Sequence, residues 1–429
     1  MTEVFLQYLW QHQLLEGALA TTDGQTIVVE RAGDLNRDAG PDFVNSRLVI
    51  GGVKWAGNVE VHVKASDWKL HGHTTDKAYG NVVLHVVYEH DFDVVTENGS
   101  VLPTLELKTF VPEVFWRNYQ ALVSSANTNE IPCGGRLNGI PDFVFGAYLD
   151  RLVVERIERK TDTVRRLLSE SNGNWEQCCY WMMAHYFGGK VNGFTFELLA
   201  KATDMRYLAR WKDNPKRLEA LLMGQAGLLD GLFNDDYPRE LQADYEAIQK
   251  GTGLQPIAGY LWRSFRLRPS SFPAIRISQF ARFVSQSSHI FATMLECKDV
   301  KQLEAMFDVE AADYWHDHYQ FDQPSKPSTR HLGRIQVGLI IINACIPLLF
   351  HYGVATGQQQ YKDQALMLLA QLPPEDNRII RTWAACGRHP LNALQSQAML
   401  ELSNEYCKNR RCLACQIGYR LIKNKLYEG

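Results

Sequence analysis

The sequence lacks the features that define several broad classes of protein. It has no excess of basic residues, because 45 lysines and arginines stand against 48 aspartates and glutamates and give a net charge of −3. The chain as a whole therefore does not resemble a nucleic-acid-binding protein, and any basic surface must be local. No internal repeat and no low-complexity tract is visible, which argues against a repeat protein or a disordered one.

Signals for export or membrane insertion are also missing. The first 15 residues include Glu3 and no basic segment, so they do not resemble a signal peptide, and their apolar spacing favours an amphipathic helix. The most apolar run, residues 335–350, is only 16 residues long and contains polar residues and a proline, which favours a buried helix over a membrane span. We therefore expect a cytoplasmic protein whose nine cysteines are reduced.

Two kinds of periodicity divide the chain. Residues 25–31, 43–50, 53–64, 81–88 and 101–107 have strand character, and Gly51-Gly52 predicts a tight turn between the second strand and the third. The fourth strand is nearly all apolar, as for a strand buried on both faces. From about Pro141 the apolar residues follow helical spacing. Helices are predicted at residues 176–186, 217–232, 241–250, 276–296, 334–352, 359–371 and 391–406.

These patterns predict the fold class α+β. We expect a mixed or antiparallel sheet of at least four strands within residues 20–110, with the first helix packed on it, and an almost entirely helical chain beyond about residue 145. A Gly-, Asn- and Pro-rich stretch at residues 124–141 is the best boundary. The predicted domains are residues 1–130 and residues 141–429, the second carrying a group of C-terminal cysteines.

One predicted strand carries a chemically distinctive polar face. Along residues 59–64 the valines alternate with Glu60, His62 and Lys64, so a carboxylate, an imidazole and an amine follow one another on the same side. Further polar groups stand close by in the sequence. The complete candidate catalytic set is Asp42, Glu60, His62, Lys64, His71 and His73.

This combination of side chains suits the hydrolysis of phosphodiesters. Two carboxylates, here Asp42 and Glu60, can hold Mg²⁺, which polarises a phosphate and lowers the pKa of a bound water. A lysine stabilises developing negative charge, and a histidine serves as base or proton donor. The alternative is structural: a Pro-Asp pair commonly forms a turn, a polar strand face is commonly solvated, and Asp67 can cap a short helix.

The residues quoted above resemble the PD-(D/E)xK nuclease superfamily over about the first 110 residues. Pro41-Asp42 matches the first half of that motif, and Glu60-Val61-His62 occupies the second half with histidine in the place of lysine, while Lys64 lies two residues further on. The His71-Gly72-His73 stretch is similar to that of the very-short-patch mismatch endonucleases. The resemblance implies a restriction-endonuclease-like mixed sheet and a metal-dependent nuclease.

Nearly the whole chain also resembles an uncharacterised bacterial domain-of-unknown-function family, DUF2851. The stretches that carry this resemblance are residues 40–43, 57–68, 79–87, 268–281 and 407–418. It implies membership of a family and no particular activity.

Strand register makes a sharp test of the metal hypothesis. With a two-residue turn at Gly51-Gly52 and regular pairing, Asp42 pairs with Val61 and therefore points away from Glu60. A shared metal site requires an irregularity between Ile50 and Val59, for which the stretch 56–58, with its glycine, is the natural place. We then expect the carboxylates of Asp42 and Glu60 to lie close enough to share one cation.

A second candidate metal site lies at the C-terminus. Cys407, Cys412 and Cys415 have the spacing C-x4-C-x2-C, and three basic residues stand among them. Cys386 or His389 can supply a fourth ligand for zinc or for a [4Fe–4S] cluster. Some nucleases of the superfamily named above hold an iron–sulfur cluster with three clustered cysteines and one remote one. The alternative is that these cysteines are buried free thiols.

A local basic stretch is the remaining functional signal. Residues 256–290 contain arginines interleaved with aromatic residues and no acid, a composition that suits a phosphate backbone with stacked bases. The candidate nucleic-acid-binding residues are Arg263, Arg266, Arg268 and Arg276. An equally good interpretation is a helical core whose arginines pair with acids elsewhere.

Together these observations favour a metal-dependent phosphodiesterase that acts on DNA or RNA. The alternative is a catalytically degenerate nuclease fold that serves as a nucleic-acid-binding or protein-binding module, with a purely structural cysteine site. A third hypothesis is a hydrolase of another class that uses a His/Asp metal site. The histidine at the usual lysine position favours the non-enzymatic alternative, whereas the surrounding acids and histidines favour an enzyme.

Overall fold

The structure, a computed structural model, describes residues 1–97, 99–124, 131–286 and 289–424. The chain divides into two compact units. The first contains Met1–Phe145, Ala385–Gly387 and Leu402–Gly429, and the second contains Gly146–Ala384 and Arg388–Glu401. The C-terminal cysteines therefore belong with the N-terminal residues, and not with the helical domain to which the sequence assigned them. Residues 125–130, which fall in the predicted boundary, lie outside the described part of the chain.

The secondary-structure elements follow the predicted order. Up to residue 124 they are α1 (Glu3–Gln11), β1 (Ile27–Arg31), β2 (Asp34–Leu35), β3 (Phe43–Ile50), β4 (Val53–Lys64), α2 (Asp67–Leu70), β5 (Val82–Glu89), β6 (Thr104–Glu106) and α3 (Glu113–Ser124). From residue 142 they are α4 (Asp142–Glu170), α5 (Trp175–Phe187), α6 (Gly189–Ala202), α7 (Met205–Trp211), α8 (Pro215–Gln225), α9 (Asp236–Thr252), α10 (Pro273–Gln286), α11 (Ile290–Glu296), α12 (Val300–Ala305), β7 (His318–Gln320), β8 (Gln323–Pro324), α13 (Arg334–Ile340), α14 (Ile346–Thr356), α15 (Gln359–Gln371), α16 (Arg378–Ala385), α17 (Ala393–Glu401) and α18 (Gln416–Lys423).

The first unit is built on a six-stranded mixed sheet. Its order is β1-β3-β4-β5-β6, with the short β2 also paired to β3. β3 and β4 form an antiparallel hairpin through Gly51 and Gly52, both of which have positive φ, whereas β4–β5 and β5–β6 are parallel. α1 buries Phe5, Leu6 and Leu9 and packs against β4. The predicted α+β class and the sheet of at least four strands are confirmed.

β5 is the buried strand that its composition predicts. Residues 82–87 are all buried, and this central position in the parallel part of the sheet accounts for the apolar run. One member of the run is polar: His85 has no solvent exposure. A fully buried imidazole requires a hydrogen-bond partner, and this requirement links β5 to the candidate site.

The strand pairing around β4 is irregular, as predicted. The extra residues of the bulges, however, lie on the two neighbouring strands, β3 and β5, and not on β4 itself. Ser46 pairs with Gly57, as a regular hairpin requires, but Phe43 pairs with Val59, so Val44 and Asn45 together oppose Asn58. Asn45 adopts the left-handed conformation, with φ of 58°. The sequence predicted the bulge on β4; it lies on β3 instead, where asparagine tolerates this conformation better than most residues.

β5 also shifts its register at the same level of the sheet. Asn58 pairs with Val82 and Val59 pairs with Leu84, so Val83 is the extra residue. Gly57 makes this possible, because a Cβ atom there would overlap the Val83 side chain and come within 2.7 Å of the Asn81 carbonyl oxygen. Glycine at this position thus permits a bulge on the neighbouring strand and not on its own.

In the described residues of the second unit, the short β7–β8 hairpin is the one departure from helices among the named elements. The helix predicted at residues 276–296 is two helices, α10 and α11, with residues 287–288 outside the described chain. The most apolar run of the sequence, residues 335–350, lies in a continuous helix, Arg334–Thr356, which contains a π-helical turn. This helix is long and apolar enough to cross a membrane, with a mean hydropathy of 1.9, but 67% of its most apolar window is buried within the protein. The burial is compatible with a soluble protein.

Candidate metal centre on the N-terminal sheet

Asp42 and Glu60 lie side by side at the end of the β3–β4 hairpin. The Asp42 backbone N–H donates to Glu60 Oε2 at 3.0 Å, and the Val61 N–H donates to Asp42 Oδ2 at 3.0 Å. Gln7 on α1 donates to the second Asp42 oxygen at 2.9 Å. The bulge at Asn45 creates this arrangement, because it places Asp42 opposite Glu60 and not opposite Val61. The two acids therefore share one side of the sheet.

Three histidines gather next to Glu60. His62 Nε2 lies 3.1 Å from His71 Nδ1, and both His62 Nε2 and His73 Nε2 lie within 3.5 Å of Glu60 Oε1. His62 follows Glu60 by two residues on β4 and so points to the same side of the strand. His71 and His73 come from the turn after α2, where Gly72 has a φ of 75°. This short turn brings its two histidines back over the strand.

A layer of aromatic side chains supports the histidines. His85 Nε2 on β5 lies 2.9 Å from His62 Nδ1, and Tyr79 stacks on His73 with ring centroids 3.8 Å apart. Trp68 packs edge-on against both His73 and His85. A histidine that ligates a metal commonly donates its other N–H to a neighbouring group, and His85 is placed to accept from His62 in this way.

Burial sets the protonation states of these groups. Burial raises the pKa of Glu60 to about 8, and the nearby Asp42 carboxylate contributes to the same shift. Burial also lowers the pKa of His62 to about 4, with help from the positive charges that His73 and His71 can carry. The pKa of His73 is lowered too, mainly by burial. Near neutral pH these two imidazoles are therefore uncharged, which is the form that binds metal ions.

The three histidines meet the geometric requirement for a metal ion. His62, His71 and His73 each offer a ring nitrogen, and these atoms lie within 4.8 Å of one another. Imidazole nitrogens suit zinc, iron and similar transition metals, whereas carboxylate oxygens suit Mg²⁺ and Mn²⁺. Glu60 lies at the junction of the two sets of donors. Four of the predicted site residues, Glu60 and the three histidines, are thus brought together, with Asp42 directly beside them.

Lys64 does not join this group. Its side chain is exposed, although Lys64 has the same strand parity as Glu60 and His62. It is the last residue of β4, where it pairs with Glu89 of β5. The position where the nuclease motif requires a lysine is occupied by the neutral His62.

The predicted nucleic-acid-binding arginines are divided between surface and core. Arg263, Arg266 and Arg268 lie in the segment before α10, where all three are exposed. Arg276 is only 9% exposed, and its guanidinium donates to Gln279 Oε1 and Ser271 Oγ. Arg276 is therefore badly placed for a phosphate backbone, because its position on the inner face of α10 makes it part of the helical core.

The three clustered cysteines gather with a fourth cysteine that their spacing in the sequence did not indicate. Cys407, Cys412 and Cys415 line one small cavity together with Cys133. Cys386 does not line this cavity but lies close by, with its sulfur against Gly134. His389 is exposed and falls in the second unit.

Sequence reasoning missed several residues of the N-terminal site. Glu3 and Gln7 lie one turn apart on α1, and Gln7 links the carboxylates of Glu3 and Asp42. Their i, i+4 spacing was visible in the sequence, but nothing local indicated which strand they would face. His85 carried a clearer signal, because a lone imidazole in an otherwise apolar buried strand must find a polar partner.

Comparison with known proteins identifies the family. A family model described as "Protein of unknown function (DUF2851)" matches residues 3–378. The chain belongs to the DUF2851 family. The matched region contains every residue of the histidine and carboxylate group and also Cys133, but it ends before Cys386. No curated protein and no solved structure matches the chain.

Proposed function

We propose that this protein is a metal-dependent phosphodiesterase that acts on DNA or RNA in the cytoplasm. The observation that carries the proposal is the bulge at Asn45, which turns Asp42 to the same side of the sheet as Glu60, beside three histidines. A regular hairpin would have separated the two carboxylates. An irregularity that re-aims one side chain toward a buried acid is typical of active sites.

The side chains divide into roles by their chemistry. Asp42 and Glu60 supply oxygen ligands for Mg²⁺ or Mn²⁺, and the three histidines supply nitrogen ligands or a general base. A bound metal ion would polarise the phosphate and activate a water molecule. His62 is held in one orientation by His85, and Asp42 by Gln7, so these donors are fixed before a ligand arrives. Lys64 has no part in this scheme, although the sequence suggested one.

The second unit offers a surface with the chemistry of a nucleic-acid contact. Tyr260 and Phe265 are 87% and 81% exposed, and Arg263, Arg266 and Arg268 lie near them in the chain. No acidic residue occurs anywhere in residues 256–290. Exposed aromatic rings stack on bases, and arginines bind phosphates, so this segment suits a single-stranded or unpaired substrate.

The second candidate function is a nuclease-like module that binds nucleic acid or protein without cutting it. Two observations favour it: Lys64 is outside the site, and both Asp42 and Glu60 already accept backbone hydrogen bonds. Under this hypothesis the acids and histidines only stabilise the end of the hairpin.

A nuclease assay separates the two candidates. The full chain is incubated with single-stranded and double-stranded DNA and RNA in the presence of Mg²⁺, Mn²⁺ or Zn²⁺, or with EDTA. Asp42→Asn and Glu60→Gln keep the shape of each side chain, and Glu30→Gln, an exposed acid on β1, is the matched control. We expect metal-dependent cleavage by the wild type and the control, and a loss of at least ~100-fold in both site variants. Equal activity in all four proteins would refute the enzymatic proposal.

A further inference from the structure

Four buried cysteines from distant parts of the chain surround one cavity in the first unit. Cys407, Cys412 and Cys415 come from the C-terminal segment, and Cys133 comes from the segment that precedes α4. All four side chains are buried, and none of the described cysteines forms a disulfide. The cavity has room for about one water-sized sphere. By contrast Cys178, Cys179 and Cys345 lie in the helical core of the second unit, where cysteine behaves as a small apolar residue.

The local backbone is shaped to present these sulfurs. Cys407 ends a π-helical turn, Leu402–Cys407, and Cys412 begins a short 3-10 turn that leads to Cys415, the N-cap residue of α18. Between them Arg410 adopts the left-handed conformation, with φ of 55°. Gly418 on α18 allows the turn to approach, because a Cβ atom there would overlap the Cys412 carbonyl group. Such departures from regular helix commonly mark functional positions.

We propose that Cys133, Cys407, Cys412 and Cys415 are the four ligands of a soft-metal centre that ties the C-terminal segment to the segment containing Cys133. Zinc and iron–sulfur clusters are the groups that four thiolates bind. Within the described residues, the histidines of the N-terminal site are the one group of three ligand atoms within 4.8 Å of each other, so the cysteine sulfurs are spread more widely. In a tetrahedral zinc site the sulfurs lie about 3.8 Å apart, so the four side chains would draw together around a single ion.

Cys386 provides a matched control for this assignment. Its sulfur lies against Gly134, next to Cys133 in sequence, but it is outside the cavity and more exposed than the other four. Cys386 was one of the two fourth ligands expected from the sequence, the other being His389. The structure assigns that place to Cys133, which sequence spacing alone could not identify.

The experiment measures metal content in the full chain purified without oxygen. Zinc, iron and acid-labile sulfide are quantified in the wild type, Cys133→Ser and Cys386→Ser, and absorption near 400 nm reports an iron–sulfur cluster. Relative to the wild type, we expect Cys133→Ser to lose about one zinc ion or one cluster per chain and Cys386→Ser to lose none. Either metal supports the proposal. A wild type without stoichiometric metal after reconstitution, or a loss confined to Cys386→Ser, overturns it.

A second measurement does not depend on the folding of a variant. X-ray absorption spectroscopy of the wild-type protein at the edge of the metal found counts its ligands directly. We expect a shell of sulfur neighbours at about 2.3 Å, separate from the nitrogen neighbours of any metal ion that the N-terminal histidines hold. A spectrum without a sulfur shell contradicts the assignment of all four positions to cysteine.

Discussion

Asp42 and Glu60 each stabilise the strand of the other. The backbone N–H of Asp42 donates to Glu60 Oε2, and the backbone N–H of Val61, directly after Glu60, donates to Asp42 Oδ2, both at 3.0 Å. This reciprocal pair fixes both carboxylates, while the second oxygen of Asp42 accepts from Gln7 and that of Glu60 faces His62 and His73. It also couples the proposed chemistry to strand register, because neither hydrogen bond can form if the strands slip by one residue.

Asn45→Val should weaken this arrangement. A β-branched residue at φ of 58° is strained, so we expect a loss of about 1–2 kcal/mol in the free energy of unfolding and weaker Mn²⁺ binding. Asn45→Gly is the control, because glycine accepts the same backbone conformation. Urea denaturation and calorimetric titration with Mn²⁺ measure the two effects. Equal stability of the valine and glycine variants would show that the bulge does not depend on this conformation.

Gly57→Ala should lower the free energy of unfolding more than a glycine-to-alanine change at an uncrowded position. The new methyl group would overlap Val83 and approach the Asn81 carbonyl oxygen, so β5 must move away from β4. We expect a loss of roughly 2 kcal/mol or more in unfolding free energy. Gly146→Ala, in α4 with no atom near the added methyl group, should be neutral or stabilising by up to about 1 kcal/mol. A Gly57→Ala protein as stable as Gly146→Ala would contradict the close approach of the two strands.

Glu60→Gln should change how stability depends on pH in the metal-free protein. The Glu60 carboxyl keeps its proton to about pH 8 when folded, whereas its ordinary pKa is 4.5. Between these values the folded state holds a proton that the unfolded state has lost, so raising the pH through this window destabilises the fold. The glutamine variant cannot lose this proton.

Chemical denaturation at pH 5.5 and pH 8.5 in EDTA measures the effect. Between pH 5.5 and pH 8.5, the free energy of unfolding of Glu60→Gln should rise relative to that of the wild type by on the order of 3 kcal/mol. Comparison of the two proteins cancels the titration of groups that are remote from Glu60. A constant difference between them at both pH values would show that Glu60 is already ionised in the folded protein.

His85→Phe tests the support of the histidine group. The phenyl ring fills the space of the imidazole but cannot bond to His62 Nδ1, so His62 should be less well oriented. We expect Zn²⁺ or Mn²⁺ to bind about 10–100-fold more weakly. His331→Phe, an exposed position in the second unit, should bind like the wild type. Unchanged affinity in His85→Phe, measured by calorimetry, would mean that His85 does not orient His62 for the metal ion.

The arginines before α10 should contribute to nucleic-acid binding, and Arg276 should not. Replacing Arg263, Arg266 and Arg268 together by glutamine should weaken binding to single-stranded DNA or RNA. The slope of log K against log salt concentration should fall by about 0.7 for each phosphate that is no longer bound. Arg276→Met should leave affinity unchanged and alter stability instead, since the guanidinium is buried. Fluorescence anisotropy over a range of salt concentrations measures the affinity and its salt dependence. A triple variant with the salt dependence of the wild type would show that these three arginines do not bind the nucleic acid.

Local patterns were sufficient for much of the fold. β3 and β4 begin and end where alternation and the Gly51-Gly52 turn predict, because both signals operate between neighbouring residues. The buried β5 was equally clear from its composition. The short β2 was not predicted, since two residues carry no periodicity. The same local reasoning identified Asp42, Glu60 and the histidines as candidates by their chemical type.

What the sequence by itself determined was therefore the identity of the elements and the chemistry available on each. Only the tertiary structure decided which groups meet: the bulge on β3 that turns Asp42 toward Glu60, the burial of Arg276, and the approach of Cys133 to the C-terminal cysteines. Periodicity reports the backbone over a few residues, whereas register across strands and contacts between distant segments depend on packing of the whole unit. Residues 133 and 407 can share a cavity only after that unit has folded.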